Sequence, residues 1–314
     1  MKILLAGAYD DQVAALSELF PDVQFLRTEQ VDMQEAGGDA LIGMSRLPFD
    51  KVFTQAFLER NKTVRWAHAP GAGIDFYLFP GLASSPIAFT NGKIIQGPEV
   101  AEHSLGLLLC LTRRIGFVLK GVDKGSIPSP IELRGKIALV IGAGGVGLLL
   151  AERLSAFGMT VDVVTETNIP LVSTVRKAYF GNQLMNALPT ADVIIMAAPL
   201  TPQSRNMLGR EQFHAMRQNA YLINVSRGGT VDLDALVQQL RDGRFSGIGL
   251  DVTFPEPLPE NHPIKAFDRV IVTPHLAGRS DCLREQNFEL IINNITRFIA
   301  GLPLVNLVDK VAGF

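Results

Sequence analysis

The 314-residue sequence is short of several things, and each shortage excludes something. It has two cysteines, Cys110 and Cys282, with no Cys-x-x-Cys pair and no His/Cys cluster of zinc-like spacing. That excludes a disulfide framework and a structural metal site, and predicts buried free thiols in a reducing compartment. Neither charge sign is in excess: 29 basic against 31 acidic residues leave a net charge of −2. So balanced a chain has no basic footprint, and no nucleic-acid partner is expected. The longest apolar-plus-glycine run, "IALVIGAGGVGLLLA" (137–151), has four glycines in its middle and falls short of the roughly 20 residues a membrane helix needs. The opening "MKILLAGAYDD" meets acids at Asp10 and Asp11, too early for a signal peptide. The expectation is a soluble cytoplasmic protein with no membrane partner.

What is present is 47% apolar residues, enough for a real core, in a length that suggests about two domains. Short β-branched runs alternate with helical patterns, which implies parallel sheets with crossover helices. In the first third the predicted strands are 2–7, 23–28, 39–44, 64–69 and 87–91, with a helix at 11–20. A long, mostly apolar helix is predicted over 98–115, then a loop "GSIPSP" (125–130). Six further strands follow at 136–142, 160–165, 192–198, 220–226, 246–252 and 269–274, which match a doubly wound dinucleotide fold. An amphipathic helix over 281–301 closes the pattern.

"GAGGVG" (142–147) fits G-x-G-x-x-G between a predicted strand and a predicted helix. Gly142 permits the tight turn, Gly144 lets backbone approach a pyrophosphate, and Gly147 lets helix and strand pack closely. The helix start then offers free N–H groups to phosphates. A glycine-rich turn without ligand fits the same letters. The next strand, within "VDVVTET" (161–167), should end in an acid if NAD is held by its ribose diol. Thr165 stands there, with Glu166 one residue later and Asp162 too early. A missing acid removes a repulsion against a 2′-phosphate, yet the next arginine is as far on as Arg176. NADH and NADPH both stay open, with the balance tipped slightly towards NADPH.

Of five histidines, His68 reads as structural, His103 as packing or dimer contact, His214 as exposed and His262 as a loop residue. His275, in "TPHLAG" (273–278), stands just past the carboxyl end of a predicted parallel strand, where α/β sheets bind ligands. Arg227 with Ser226 in "NVSRGG" and Glu256 in "LDVTFPEPLP" hold equivalent places after other strands. Each alone also fits an ordinary loop or surface residue. Together they suit one reaction, reduction of a 2-keto acid. Histidine donates the proton, a carboxylate beside it favours the imidazolium, and arginine grips the substrate carboxylate. Arg46, Leu47 and Tyr77 are further candidates for lining a pocket.

With "GAGID" (71–75), "EVAEH" (99–103), "GAGGVG", "APLTPQS" (198–204), "NVSRGG", "LDVTFPEPLP" and "TPHLAG", nearly the whole chain resembles the D-isomer-specific 2-hydroxyacid dehydrogenases. Its length and the ending "NLVDKVAGF" are most similar to the glyoxylate/hydroxypyruvate reductase branch. The resemblance implies a Rossmann-type cofactor domain (96–280) inserted into a flavodoxin-like substrate domain (1–95 plus 281–314). It implies NAD(P) as cofactor and a small 2-keto or 2-hydroxy acid as substrate. Arg227, Glu256 and His275 would be catalytic, with Arg227 and His275 also binding substrate beside the backbone of Ala72 and Gly73. Gly145 and Val146 would touch the pyrophosphate, Ala198 and Pro199 would lie by the adenosine, and Asp251 would meet the nicotinamide amide. Thr165, Glu166 and Ser226 complete the cofactor set. A homodimer through the 98–115 helix is implied. A retained Glu–His pair disfavours the formate dehydrogenase relatives. A short D-3-phosphoglycerate dehydrogenase stays open, as does a cofactor-sensing corepressor of similar fold.

Overall fold

The computed structural model describes residues 1–31, 37–166 and 172–313; Thr167, in the stretch 161–167 above, lies outside them. The chain forms two compact units, Met1–Gln96 with Ser280–Phe314, and Gly97–Arg279.

The first unit is a parallel sheet of β1 (Lys2–Ala6), β2 (Gln24–Arg27), β3 (Ala40–Gly43), β4 (Trp66–Ala69) and β5 (Ala88–Asn91). The order β2-β1-β3-β4-β5 is that of flavodoxin-like folds. β3 and β4 are buried along their whole length, as strands covered on both faces must be. One face packs on an aromatic cluster including Phe49, Phe53, Tyr77 and Phe89. The other packs Ile3, Leu5 and Trp66 against Ile291 and Ile295 of the helix Leu283–Ile299. The final segment covers the open edge of β5: Val308 N–H donates to the Phe89 carbonyl at 2.8 Å, and Leu307 bridges Thr90 in antiparallel sense.

His68 on β4 is fully buried in this core. Its Nδ1 lies 2.9 Å from Thr90 Oγ1, which also accepts the Trp66 indole N–H at 2.8 Å. Burial drives its pKa down from 6.5 to about 4. Between those values the unfolded chain takes up a proton that the folded protein refuses. Stability should therefore be full above pH 6.5 and fall as the pH drops towards 4, by roughly 3 kcal/mol. Urea unfolding of the protein and of His68→Gln at a series of pH values tests this. The variant should start lower but lose less on acidification, and an equal slope in both would refute the role given to His68.

The second unit holds β6 (Ile137–Ile141), β7 (Thr160–Thr165), β8 (Val175–Phe180), β9 (Val193–Met196), β10 (Ala220–Asn224), β11 (Phe245–Leu250) and β12 (Val270–Val272). The order β12-β11-β10-β9-β6-β7-β8 is all parallel and reverses between β6 and β9. That is the dinucleotide-binding pattern with one strand added. Apolar clusters cover both faces, built around Leu139, Ile194 and Leu222 on one side and Val140, Ile195 and Ile223 on the other.

The structure differs from the expectation in four places. The sheet has seven strands, not six: β8, "VRKAYF", lies at the edge, so it carries charges and lacks the apolar run of an inner strand. The helix expected over 98–115 runs Gly97–Thr112; Arg114 adopts a left-handed φ of 64° and a second short helix, Ile115–Leu119, follows. Cys110 and Cys282 are free but only half-buried: Cys110 lies in the helix Gly97–Thr112 without being among its buried residues, and Cys282 is the cap residue just before the helix Leu283–Ile299. Tyr77 is a core residue, 5% exposed with its hydroxyl on Asp50, and so lines no open pocket.

Candidate active site

In the second unit each candidate side chain sits on the loop just beyond a strand's carboxyl end, and a buried polar residue at that strand end shapes the loop. At the end of β10, Asn224 is fully buried. Its Oδ1 accepts the Ser226 N–H and hydroxyl, both at 3.1 Å, and its Nδ2 donates to the Arg227 carbonyl at 3.1 Å. Ser226 is thereby turned inward, and Arg227 heads the turn Gly228–Thr230, half-buried. A Cβ on Gly228 would stand 2.0 Å from the Thr253 carbonyl. The Arg227 loop therefore lies directly on the segment leaving β11, three residues before Glu256.

Glu256 Oε1 is 2.6 Å from His275 Nδ1, and both side chains are about two-fifths exposed (42% and 38%). His275 has a left-handed φ of 54°, which a non-glycine residue keeps only when neighbours hold it there. Asp251, one residue past β11, supplies the hold. Its carbonyl accepts the His275 N–H at 2.9 Å, Oδ1 accepts the Leu276 N–H at 2.9 Å, and Oδ2 accepts the Ala277 N–H at 3.0 Å. Thr273 donates its hydroxyl to the same carboxylate at 2.6 Å. Burial pushes this carboxyl up, but hydrogen bonds from His103, Thr273, Ala277 and Leu276 outweigh it and hold the group at about 2. The side chain expected to meet a nicotinamide amide thus also clamps the histidine turn. His103, read above as packing, also reaches this clamp: its Nε2 is 2.9 Å from Thr273 Oγ1.

Asn224, Thr273 and His103 escaped the sequence reading. A buried Asn at a strand end before a Gly-Gly turn is a legible signal of a side chain bonding its own loop. His103 and Thr273 are 170 residues apart, and nothing local joins them.

The glycine loop lies at the strand-order reversal, where doubly wound sheets open a crevice. A Cβ on Gly142 (φ 103°) would meet the Ala198 nitrogen at 2.6 Å, so this loop packs on the exit of β9 that carries Ala198 and Pro199. A Cβ on Gly147 would lie 1.9 Å from the Gly142 carbonyl oxygen. The fold itself demands both glycines. Gly144 is different: no atom lies within 4 Å of the place a Cβ would take, and Gly144 and Gly145 are exposed. The helix Gly145–Ala156 starts there without a side-chain cap, with half-buried Val146 in its first turn. Open space against uncapped amides fits a diphosphate. At the end of β7, Thr165 is buried, and the Glu166 carboxylate lies over Gly181, where a Cβ would come within 1.8 Å of Oε1. Arg176 is the extra residue of a bulge in β8 and grips buried Asp162 through Nε at 2.8 Å and Nη2 at 2.5 Å. Among the described residues no cluster of three or more His, Cys, Asp or Glu can hold a metal ion, and no helix is long and apolar enough to cross a membrane.

In the first unit, Ala72 and Gly73 follow β4, half-buried. The Ala72 N–H donates to Gln96 Oε1 at 3.2 Å and its carbonyl accepts from Asn91 at 2.7 Å. Arg46 is exposed, 3.4 Å from Asp50 and stacked over Phe76, with Leu47 exposed beside it.

Residues 105–277 match the family model described as D-isomer specific 2-hydroxyacid dehydrogenase, NAD binding domain. The chain belongs to the D-isomer-specific 2-hydroxyacid dehydrogenase family. It is therefore an NAD(P)-dependent oxidoreductase of 2-hydroxy acids. A similar relative is the glyoxylate reductase of Thermofilum pendens, 32% identical, with 76% of this chain and 73% of that protein covered. The D-3-phosphoglycerate dehydrogenase of Methanocaldococcus jannaschii is 29% identical over 82% of this chain, which spans only 49% of that protein's length. Among solved structures, a D-isomer specific 2-hydroxyacid dehydrogenase from Xanthobacter autotrophicus Py2, in complex with NADPH and MES, superposes with a TM-score of 0.83 at 26% identity, covering 100% of this chain and 99% of that one. The dehydrogenase fold of both units thus agrees with the architecture expected from the sequence.

Proposed function

We propose that this dehydrogenase reduces a small 2-keto acid of the glyoxylate or hydroxypyruvate kind to the D-2-hydroxy acid, with His275 as proton donor and NADPH favoured over NADH. The observation that carries the reading is the 2.6 Å contact of Glu256 with His275, on a clamped turn at the same sheet edge as the Arg227 loop. A bound nicotinamide supplies the hydride, which goes to the keto carbon. His275 gives the proton that the keto oxygen then needs: with Nδ1 on Glu256, its Nε2 is the nitrogen left to donate. Arg227 binds the substrate carboxylate through paired hydrogen bonds and polarises the carbonyl. Ala72 and Gly73 are proposed as further contacts for that carboxylate. The amides of Gly144, Gly145 and Val146 would hold the pyrophosphate, Ala198 and Pro199 the adenosine, and Thr165 and Glu166 its ribose, where an aspartate would repel a 2′-phosphate.

A panel of glyoxylate, hydroxypyruvate, larger 2-keto acids and, in the oxidising direction, D-3-phosphoglycerate, run with both cofactors, tests this by comparing kcat/KM. Glyoxylate or hydroxypyruvate with NADPH should lead. A lead for D-3-phosphoglycerate would replace the substrate assignment, and tight cofactor binding without turnover on any acid would favour a sensor.

The glycine loop supports a separate prediction. Gly144→Ala meets no protein atom, so the melting temperature should stay within a few degrees. Its methyl group would occupy the space proposed for the pyrophosphate, so cofactor Kd should rise at least ~10-fold, a cost of about 1.4 kcal/mol. Cofactor titration by fluorescence measures it, and unchanged affinity would remove the diphosphate from this loop.

A further inference from the structure

We propose that His103 is a positioning residue for His275, acting through the Thr273 hydroxyl and the buried Asp251 carboxylate. The inference rests on the reading of His275 as proton donor. It starts from donor and acceptor bookkeeping. A carboxylate only accepts, so the 2.6 Å contact between Thr273 Oγ1 and Asp251 Oδ1 uses the threonine proton. Thr273 Oγ1 is then an acceptor towards His103 Nε2 at 2.9 Å, and His103 must carry a hydrogen on Nε2. The same nitrogen is 3.3 Å from Asp251 Oδ1, so its N–H serves both oxygens.

This chain of bonds ends on the backbone of the catalytic turn. Asp251 is 2% exposed, so water cannot replace a lost donor. Its carboxylate and carbonyl take the N–H groups of three consecutive residues, His275, Leu276 and Ala277. Those bonds keep His275 in its left-handed conformation and hence its ring on Glu256. Removing the His103 donor leaves Thr273 and Asp251 to re-form their bonds, and the turn relaxes with them. His103 lies on the helix Gly97–Thr112, far from the turn in sequence, and thus ties the turn to a helix packed in the core of its unit.

Four variants test this. His103→Phe and Thr273→Val delete the hydrogen bonds; His103→Gln and Thr273→Ser keep a donor and a hydroxyl. The deletions should lower kcat about 10- to 100-fold, as a misplacement of about 1 Å can. KM for keto acid and cofactor should stay within about threefold, and the conservative pair should recover most of the rate. In cofactor-free protein, amide exchange of the peptide covering 273–279 should quicken at least ~10-fold in the deletions and not in the conservative pair. Exchange needs no turnover. An inactive parent would therefore sink the assigned activity while exchange still decided the positioning role. An active parent whose four variants share one rate, or whose exchange is unmoved, would overturn the role of His103. Should His103→Phe fold poorly, the near-isosteric Thr273→Val carries the test.

Discussion

Replacing His275 by glutamine should lower kcat for a 2-keto acid by about 10²- to 10⁴-fold, the usual worth of a positioned general acid. The loss follows from geometry. On the proposed reading the Glu256 contact orients the ring and leaves Nε2 to deliver the proton, and an amide at this place has no proton of comparable acidity to give. The fold should not change. The side chain is 38% exposed, and the Asp251 clamp acts on main-chain N–H groups that the substitution leaves in place. Steady-state kinetics with saturating cofactor, beside a thermal melt, measure both. A variant that keeps most of its rate would mean that the proton comes from elsewhere, and the functional reading would fall with it.

The second large effect is expected at Arg227. Arg227→Met should cut kcat/KM for the keto acid by about 10²- to 10³-fold, the range for removing one member of a desolvated charge pair. Cofactor affinity should stay near its parent value: the guanidinium donates to the Ser226 carbonyl at 2.8 Å, but Asn224 and the close seating of Gly228 on Thr253 hold the loop without it. Arg227→Lys should recover only part of the loss, since an ammonium cannot match a carboxylate with two parallel bonds. Equal loss of cofactor and substrate binding would assign Arg227 to the loop's integrity instead.

Much of this architecture was legible in the letters. The inner strands β6 and β9 are unbroken apolar runs, and β10 is one up to Asn224 at its end, because parallel strands covered on both faces have no solvent side to mark. The glycine loop could be read to single positions: Gly142 and Gly147 answer to backbone atoms within the fold, and Gly144 to open space. The edge strand β8 was not legible, since its charged residues suit an exposed margin as well as a loop. The break at Arg114 was hidden too, because a left-handed arginine has no sequence marker of the kind glycine gives.

At the candidate site, Arg227, Glu256 and His275 could be picked out because a parallel sheet places the residue after each strand at one edge, and strand ends are local features. Their support could not. Asp251 was read as a cofactor contact, and His103 as packing. The first came from the family resemblance and the second from its place in a long helix; neither reveals the clamp, because a buried polar group's partners are whatever donors or acceptors folding brings beside it.

The sequence by itself therefore determined the two-sheet architecture, the glycine loop and which side chains reach the sheet edge, since each follows from periodicity or turn chemistry over a few residues. Only the tertiary structure decided that Asp251 binds three successive residues of the histidine turn, that His103 joins it through Thr273, and that Arg176 is spent on Asp162. Those bonds link groups from 14 to 170 residues apart, and burial leaves the carboxylates of Asp251 and Asp162 only the partners the fold supplies.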